Sequence, residues 1–116
     1  MNLADYRAAL DQRERMRTRF KALAPFADGC ITLSSVGIAP PFDGTGSTGE
    51  PGITHQTGLP AFNAATSALG APSITLPLMG ISGMPVGVQL VGQLHRDQDL
   101  TGLAAWMRES VKPVSM

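Results

Sequence analysis

The pattern of hydrophobic and polar positions changes along the chain, and these changes divide it into elements. From residue 3 to 23, Leu3, Tyr6, Leu10, Arg13, Phe20 and Leu23 recur at spacings of three and four, with Met16 beside them. That is the spacing of one face of an amphipathic helix. Asn2 can cap its start by accepting from the first free amides, and Pro25 ends it by disfavouring helical geometry at Ala24. Asp28-Gly29 makes a turn, and Cys30-Ile31-Thr32-Leu33 reads as a short buried strand. Periodicity then disappears. Residues 34–60 hold Gly37, Pro40, Pro41, Gly44, Gly46, Gly49, Pro51, Gly52, Gly58 and Pro60, the composition of a long loop.

The pattern returns at Ala61–Leu69, where Phe62, Ala65, Thr66 and Leu69 share a helical face and Gly70 suits a left-handed position just past the end. Ser73–Leu78 and Val86–Val91 read as two strands joined by a turn at Gly80-Ile81-Ser82-Gly83, which predicts an antiparallel hairpin. Asp97 is the expected N-cap of a last helix, with Asp99 near the positive end of its dipole. Leu100, Leu103, Ala104, Met107 and Val111 form the expected buried stripe, and Pro113 the stop. The order predicts an α/β layer fold: a small three-stranded mixed sheet with an antiparallel hairpin and helices packed against it, in a single domain over residues 1–116. Three strands leave at least one open edge. Ser73–Leu78 and Val86–Val91 carry no charge to blunt it, so such strands are expected inside a larger sheet or under another chain.

Composition adds mainly exclusions. Of 116 residues, 43% are hydrophobic and 16% charged, and nine basic residues balance nine acidic ones. The low charge fits a surface partly covered by a partner. Net neutrality gives no global attraction to nucleic acid or an anionic membrane. Arg7, Arg13, Arg15, Arg17, Arg19 and Lys21 do cluster on the first helix. Asp5, Asp11 and Glu14 dilute them, and they read as a solvated helix face. No run of apolar residues is long enough to span a membrane, and no signal peptide appears, so a cytoplasmic protein is expected. The single Cys30 allows no intrachain disulfide.

Chemical motifs are few. Gly44-Thr45-Gly46-Ser47-Thr48-Gly49 matches G-x-G-x-x-G, but Pro40-Pro41-Phe42-Asp43 precedes it and Glu50-Pro51-Gly52 follows. A dinucleotide site needs a strand before and a helix after, so a flexible loop is the better reading. A Ser-His-Asp triad would need His55 or His95 as base, with Ser34, Ser35 or Ser47 as nucleophile or Asp97 as third member. Lys21 and Lys112 sit on helices as solvent-facing residues. No His, Cys and carboxylate cluster has metal-ligand spacing. No catalytic residue, cofactor or metal site is expected.

Three stretches carry a resemblance. The first is Asp28-Gly29-Cys30-Ile31-Thr32-Leu33, followed by Ala39-Pro40. The second is Thr57-Gly58-Leu59-Pro60-Ala61-Phe62-Asn63, continuing to Leu69-Gly70-Ala71-Pro72-Ser73-Ile74-Thr75-Leu76-Pro77. The third is Gly83-Met84-Pro85-Val86-Gly87-Val88-Gln89-Leu90-Val91-Gly92, with Asp97 and the closing helix. In this order they resemble the C-terminal part of enzymes of the amidase signature family. The resemblance implies an amide hydrolase built on a large α/β sheet with a Ser–cis-Ser–Lys triad. The glycine/serine-rich nucleophile region and the lysine of that triad have no counterpart here. Leu33 stands where many members have proline. By resemblance, Thr32, Ser34 and Ser35 would line the substrate side, although such hydroxyls commonly bond nearby backbone. Gln89 is expected to bridge backbone groups as a satisfied amide.

The resulting expectation is an amidase-like scaffold segment, inactive alone. The alternatives are an accessory module completing a separate catalytic chain, and a small hydrolase with a rebuilt serine site. Removing the rest of the family's sheet would expose an edge and apolar helix faces. A homo-oligomer is therefore expected, most simply a two-fold dimer that pairs edge strands or swaps the opening helix.

Overall fold

A computed structural model describes residues 2–39 and 62–116. It contains α1 (Leu3–Lys21), β1 (Cys30–Leu33), α2 (Ala64–Leu69), β2 (Ser73–Ile81), β3 (Met84–Val91), α3 (Asp97–Ser110) and β4 (Val114–Ser115). The predicted α/β architecture is present, with one strand more than expected. Val114-Ser115 lies parallel to β2 beyond Pro113, which makes a four-stranded mixed sheet of order β1-β3-β2-β4.

Local chemistry explains most boundaries. Asn2 and Asp5 form a reciprocal capping box, Asn2 Oδ1 accepting from the Asp5 amide at 2.9 Å and Asp5 Oδ2 from the Asn2 amide at 3.2 Å. The α1 helix stops at Lys21, two residues short of the predicted end, and continues as turns through Phe26. Gly70 closes α2 in the left-handed conformation, as expected, with φ 67°. The start of α3 differs from expectation. Arg96 occupies the N-cap, and Asp97 is the first helical residue rather than the cap. The helix is held there by Asp99 pairing with Arg96 in its first turn.

The hairpin is longer and tighter than predicted. Gly80 and Ile81 belong to β2, and Ile81 pairs with Met84, leaving a two-residue turn of Ser82 and Gly83. Both turn residues have positive φ, 50° and 78°, which the twist-matching type I′ turn requires. Between Leu76 and Met79 the register slips by one residue. Pro77, which has no amide proton to give to a ladder, lies in that irregularity, where proline is tolerated.

β3 is paired on both sides. Against β1 it matches Cys30 to Val91, Ile31 to Leu90, Thr32 to Gln89 and Leu33 to Val88, antiparallel. Against β2 it matches Ser73 to Val91, Ile74 to Leu90, Thr75 to Gln89 and Leu76 to Val88, also antiparallel. Directly opposed residues share a face. Ile31, Leu33, Ile74, Leu76, Val88 and Leu90 therefore form one apolar face, while Thr32, Thr75 and Gln89 form a row on the other.

The apolar face meets α3, which rests mainly on β2 and β3. Leu76, Leu78, Leu90, Leu100, Ala104 and Met107 make the core, with Ile74, Val88 and Leu103 packed against it. Val86 and Leu90 are each 2% exposed, the deepest side chains. Val111, predicted to complete the helix stripe, is largely outside it, because α3 ends at Ser110 and Val111 is extended.

The predicted stripe of α1 is real in spacing but not in burial. No α1 residue is buried, and Leu3 is 64% exposed. The helix packs on α2 and is tied down by two polar bonds: Arg17 Nε donates to the Leu69 carbonyl at 2.8 Å, and Gln93 Nε2 to the Phe20 carbonyl at 3.2 Å. Among the described residues the core is confined to one side of β2 and β3.

Two stability outcomes follow from this packing. Leu90→Ala should lower unfolding free energy in urea by about 2–5 kcal/mol, whereas Leu3→Ala should change it by no more than about 0.5 kcal/mol. Gly87 sits where β1, β2 and β3 converge, and a Cβ there would overlap Ser34 Oγ and Thr75 Cγ2. Gly87→Ala should cost about 1–3 kcal/mol by overpacking, measured in the same titration.

Candidate functional site

On the side of the sheet away from α3, polar residues from three strands and one helix converge. Thr32 on β1 and Thr75 on β2 flank Gln89 on β3, by register. Ser34 follows two residues after Thr32, on the same face, and is placed by its amide donating to the Gly87 carbonyl at 3.0 Å. Its hydroxyl donates to that carbonyl too, at 3.1 Å. The missing side chain of Gly87 leaves room for Ser34 to lie over β3.

Asn63 completes the group from the start of α2. An asparagine at an N-cap normally turns its side chain onto the helix amides. Asn63 makes no such bond. Its Nδ2 donates to the Ser34 carbonyl at 3.2 Å, and its Oδ1 accepts from Gln89 Nε2 at 3.0 Å. The Ser34 carbonyl can only accept, so it fixes which end of the Asn63 amide faces it. Asn63 in turn fixes Gln89 with its NH2 toward Asn63.

Gln89 is 4% exposed, and among the described residues its Oε1 has no hydrogen-bond partner. The expectation that this amide bridges backbone groups is corrected. It bonds a side chain at one end and leaves a buried acceptor at the other, an arrangement that is costly in a low-dielectric interior. The neighbouring Thr32 and Thr75 hydroxyls are the donors nearest in register. Asn63 had no role in the sequence reading. Its position before a helix masks the signal, because that position already explains an asparagine.

Of the three residues expected on the substrate side, Thr32 and Ser34 share this face. Ser35 does not join them: it is exposed, and its hydroxyl donates to the Gly37 carbonyl at 2.8 Å. Both serine hydroxyls are thus engaged with backbone carbonyls, one of the two roles considered for them. A serine nucleophile would instead donate to a base. His95 is exposed with φ 62° just before α3, and among the described residues no serine hydroxyl bonds to it. Ser47, His55 and the Gly44–Gly49 stretch lie outside the described residues. Lys21 and Lys112 are exposed at the ends of α1 and beyond α3. Among the described residues no group of three or more His, Cys, Asp or Glu side chains is placed to hold a metal. None of their helices is long and apolar enough to cross a membrane.

A concavity lies away from the polar row. It encloses about 440 Å³ between the α1–β1 connection and the start of α3, lined by Ala24, Ala27, Asp28, Gln93, Arg96 and Leu103 among others. Its one cationic side chain, Arg96, is already paired with Asp99.

No family model matches the sequence. Among curated proteins, one subunit of the mitochondrial glutamyl-tRNA(Gln) amidotransferase is similar, in the forms from Rattus norvegicus and Mus musculus, each 33% identical over 52 residues. Those residues are 44% of this chain and 10% of each relative. Among solved structures, one described as a crystal structure of amidase superposes with a TM-score of 0.77 at 28% identity, over 96% of this chain and 26% of that one. The chain thus spans about a quarter of the amidase it matches and a smaller part of the amidotransferase subunits. With its described fold shared with an amidase, and 52 of its residues aligned to those amidotransferase subunits, the protein is a relative of the amidase signature enzymes over part of their length.

Proposed function

We propose that this chain is the C-terminal scaffold segment of an amidase-like amide hydrolase, and that it does not cleave amides by itself. The observation that carries the reading is the superposition on an amidase over 96% of this chain but only 26% of that protein. The segment supplies a strand-and-helix wall, and the bond-breaking groups belong to the remainder. The state of the serines supports this. Ser34 and Ser35 donate to the Gly87 and Gly37 carbonyls, which commits their protons to backbone oxygens rather than to a general base. Thr32 and Ser34 form the part of that wall facing substrate, with Asn63 and Gln89 holding the strand end in place. Ser35 stands at its rim.

The bareness of the surface points the same way. Among the described residues, the large hydrophobics left exposed, such as Leu3, Tyr6, Phe26, Ile31, Val36 and Trp106, outnumber those buried in the core. A self-sufficient domain keeps such groups scattered and few.

Purified to remove contaminating hydrolases, the protein should show no turnover above buffer on a panel of small amides and esters. Ser34→Ala and Ser35→Ala should leave that baseline unchanged. Measurable hydrolysis that disappears with either single substitution would overturn the reading in favour of a rebuilt serine site.

A further inference from the structure

The two edges of the sheet are built differently. At the β2 edge, Pro77 and the register slip interrupt the ladder, and the last residues of the chain cover part of what remains. Met79 and Gly80 pair with Val114 and Ser115, and Met116 closes the end by donating to the Gly80 carbonyl and accepting from the Ser82 amide, both at 2.9 Å. Proline, irregularity and coverage are the usual ways a natural edge is blunted. Among the described residues β1 has none of them. It reads Cys30-Ile31-Thr32-Leu33, without charge, proline or irregularity, and its one strand neighbour among the described residues is β3.

The apolar face is also unfinished there. Ile31 stands opposite the buried Leu90, yet it is 64% exposed, because α3 lies over β2 and β3 and not over β1. An uncharged edge and a bare isoleucine on the core side coincide in four residues.

The hydrogen-bond phase of β1 decides what this edge can accept. The Ser34 amide donates to the Gly87 carbonyl, so Ser34–Gly87 is a hydrogen-bonded pair. Such pairs alternate in an antiparallel ladder. Cys30 and Thr32 therefore turn their amides and carbonyls toward β3, and Ile31 and Leu33 turn theirs outward. A second β1, antiparallel about a two-fold axis at Thr32, brings Ile31 of each copy opposite Leu33 of the other. All the outward groups of both strands then pair, four hydrogen bonds in total by the same alternation. On the apolar face Ile31 meets Leu33, and on the other face Thr32 meets Thr32. Nothing charged opposes itself across the axis.

We infer that the β1 edge is a self-association site, where two copies of this chain join through Ile31 and Leu33 into one continuous sheet with the dyad at Thr32. The site is self-complementary in hydrogen bonding, in side-chain character and in charge, which a two-fold interface demands. Its operation is independent of any catalytic role, so the absence of turnover leaves it untouched.

Sedimentation velocity of the full chain from low to high micromolar concentration tests this directly. A monomer–dimer equilibrium is expected. Ile31→Pro removes an outward amide and no intrachain ladder bond, so it should keep the far-ultraviolet circular dichroism of the parent and weaken dimerisation by about tenfold or more. Independently, in a Cys30→Ser background, Thr32→Cys places two sulfurs across a non-hydrogen-bonded pair, about 4.5 Å between Cα atoms and within disulfide reach. Mild oxidation should give a covalent dimer for Thr32→Cys and none for Ser73→Cys on the other edge. A chain that stays monomeric at every concentration overturns the inference. So does a dimer that crosslinks through Ser73 but not through position 32.

Discussion

The structure depends on β3 being paired on both sides while one of its faces is apolar and the other polar. Its backbone is committed to β1 and β2, so each of its side chains is aimed by the register of two neighbours at once. Val88 and Leu90 go to α3, and Gly87 and Gln89 go to the opposite side. A slip of one residue would put Gln89 in the core and Leu90 among the threonines, and the burial of both faces near β3 forbids it. The tight Ser82-Gly83 turn sets this register from one end.

The polar side follows from the same constraint. With Gln89 held at the centre of a sheet, it can find partners only above the strands or beside it. Asn63 reaches it from α2 because that asparagine gives up its helix cap. The described residues after β1 and before α2 are therefore linked from the Ser34 carbonyl through Asn63 to Gln89. Residues far apart in sequence end as one hydrogen-bonded group. The acceptor left over on Gln89 is where this group is least satisfied.

Apolar burial in the fold is one-sided. A helix is about 10 Å across and strands are about 4.8 Å apart, so a single helix covers about two strands. α3 is placed over β2 and β3, and β1 is left bare on that face. α1 has a helical stripe of its own but no sheet beneath it, and it is attached chiefly through Arg17 and Gln93. Layered α/β folds bury a sheet face only where a helix layer covers it, and here α3 gives that cover to β2 and β3.

Elements whose signals are local were legible in the residues alone. The capping of α1 by Asn2, the end of α2 at Gly70, the strand Cys30–Leu33 and the antiparallel hairpin all depend on residues within a turn of one another. The apolar stripe of α3 was legible for the same reason, apart from Val111, whose spacing outran the helix. Tertiary structure alone decided the rest. Whether the regular stripe of α1 would be buried depends on what lies beside it, and periodicity is blind to that. Pairing of β4 with β2 needs the chain to return across the sheet, which two residues cannot announce. The partnership of Asn63 with Gln89 is set by strand order, a property of contacts between distant segments that no local pattern encodes.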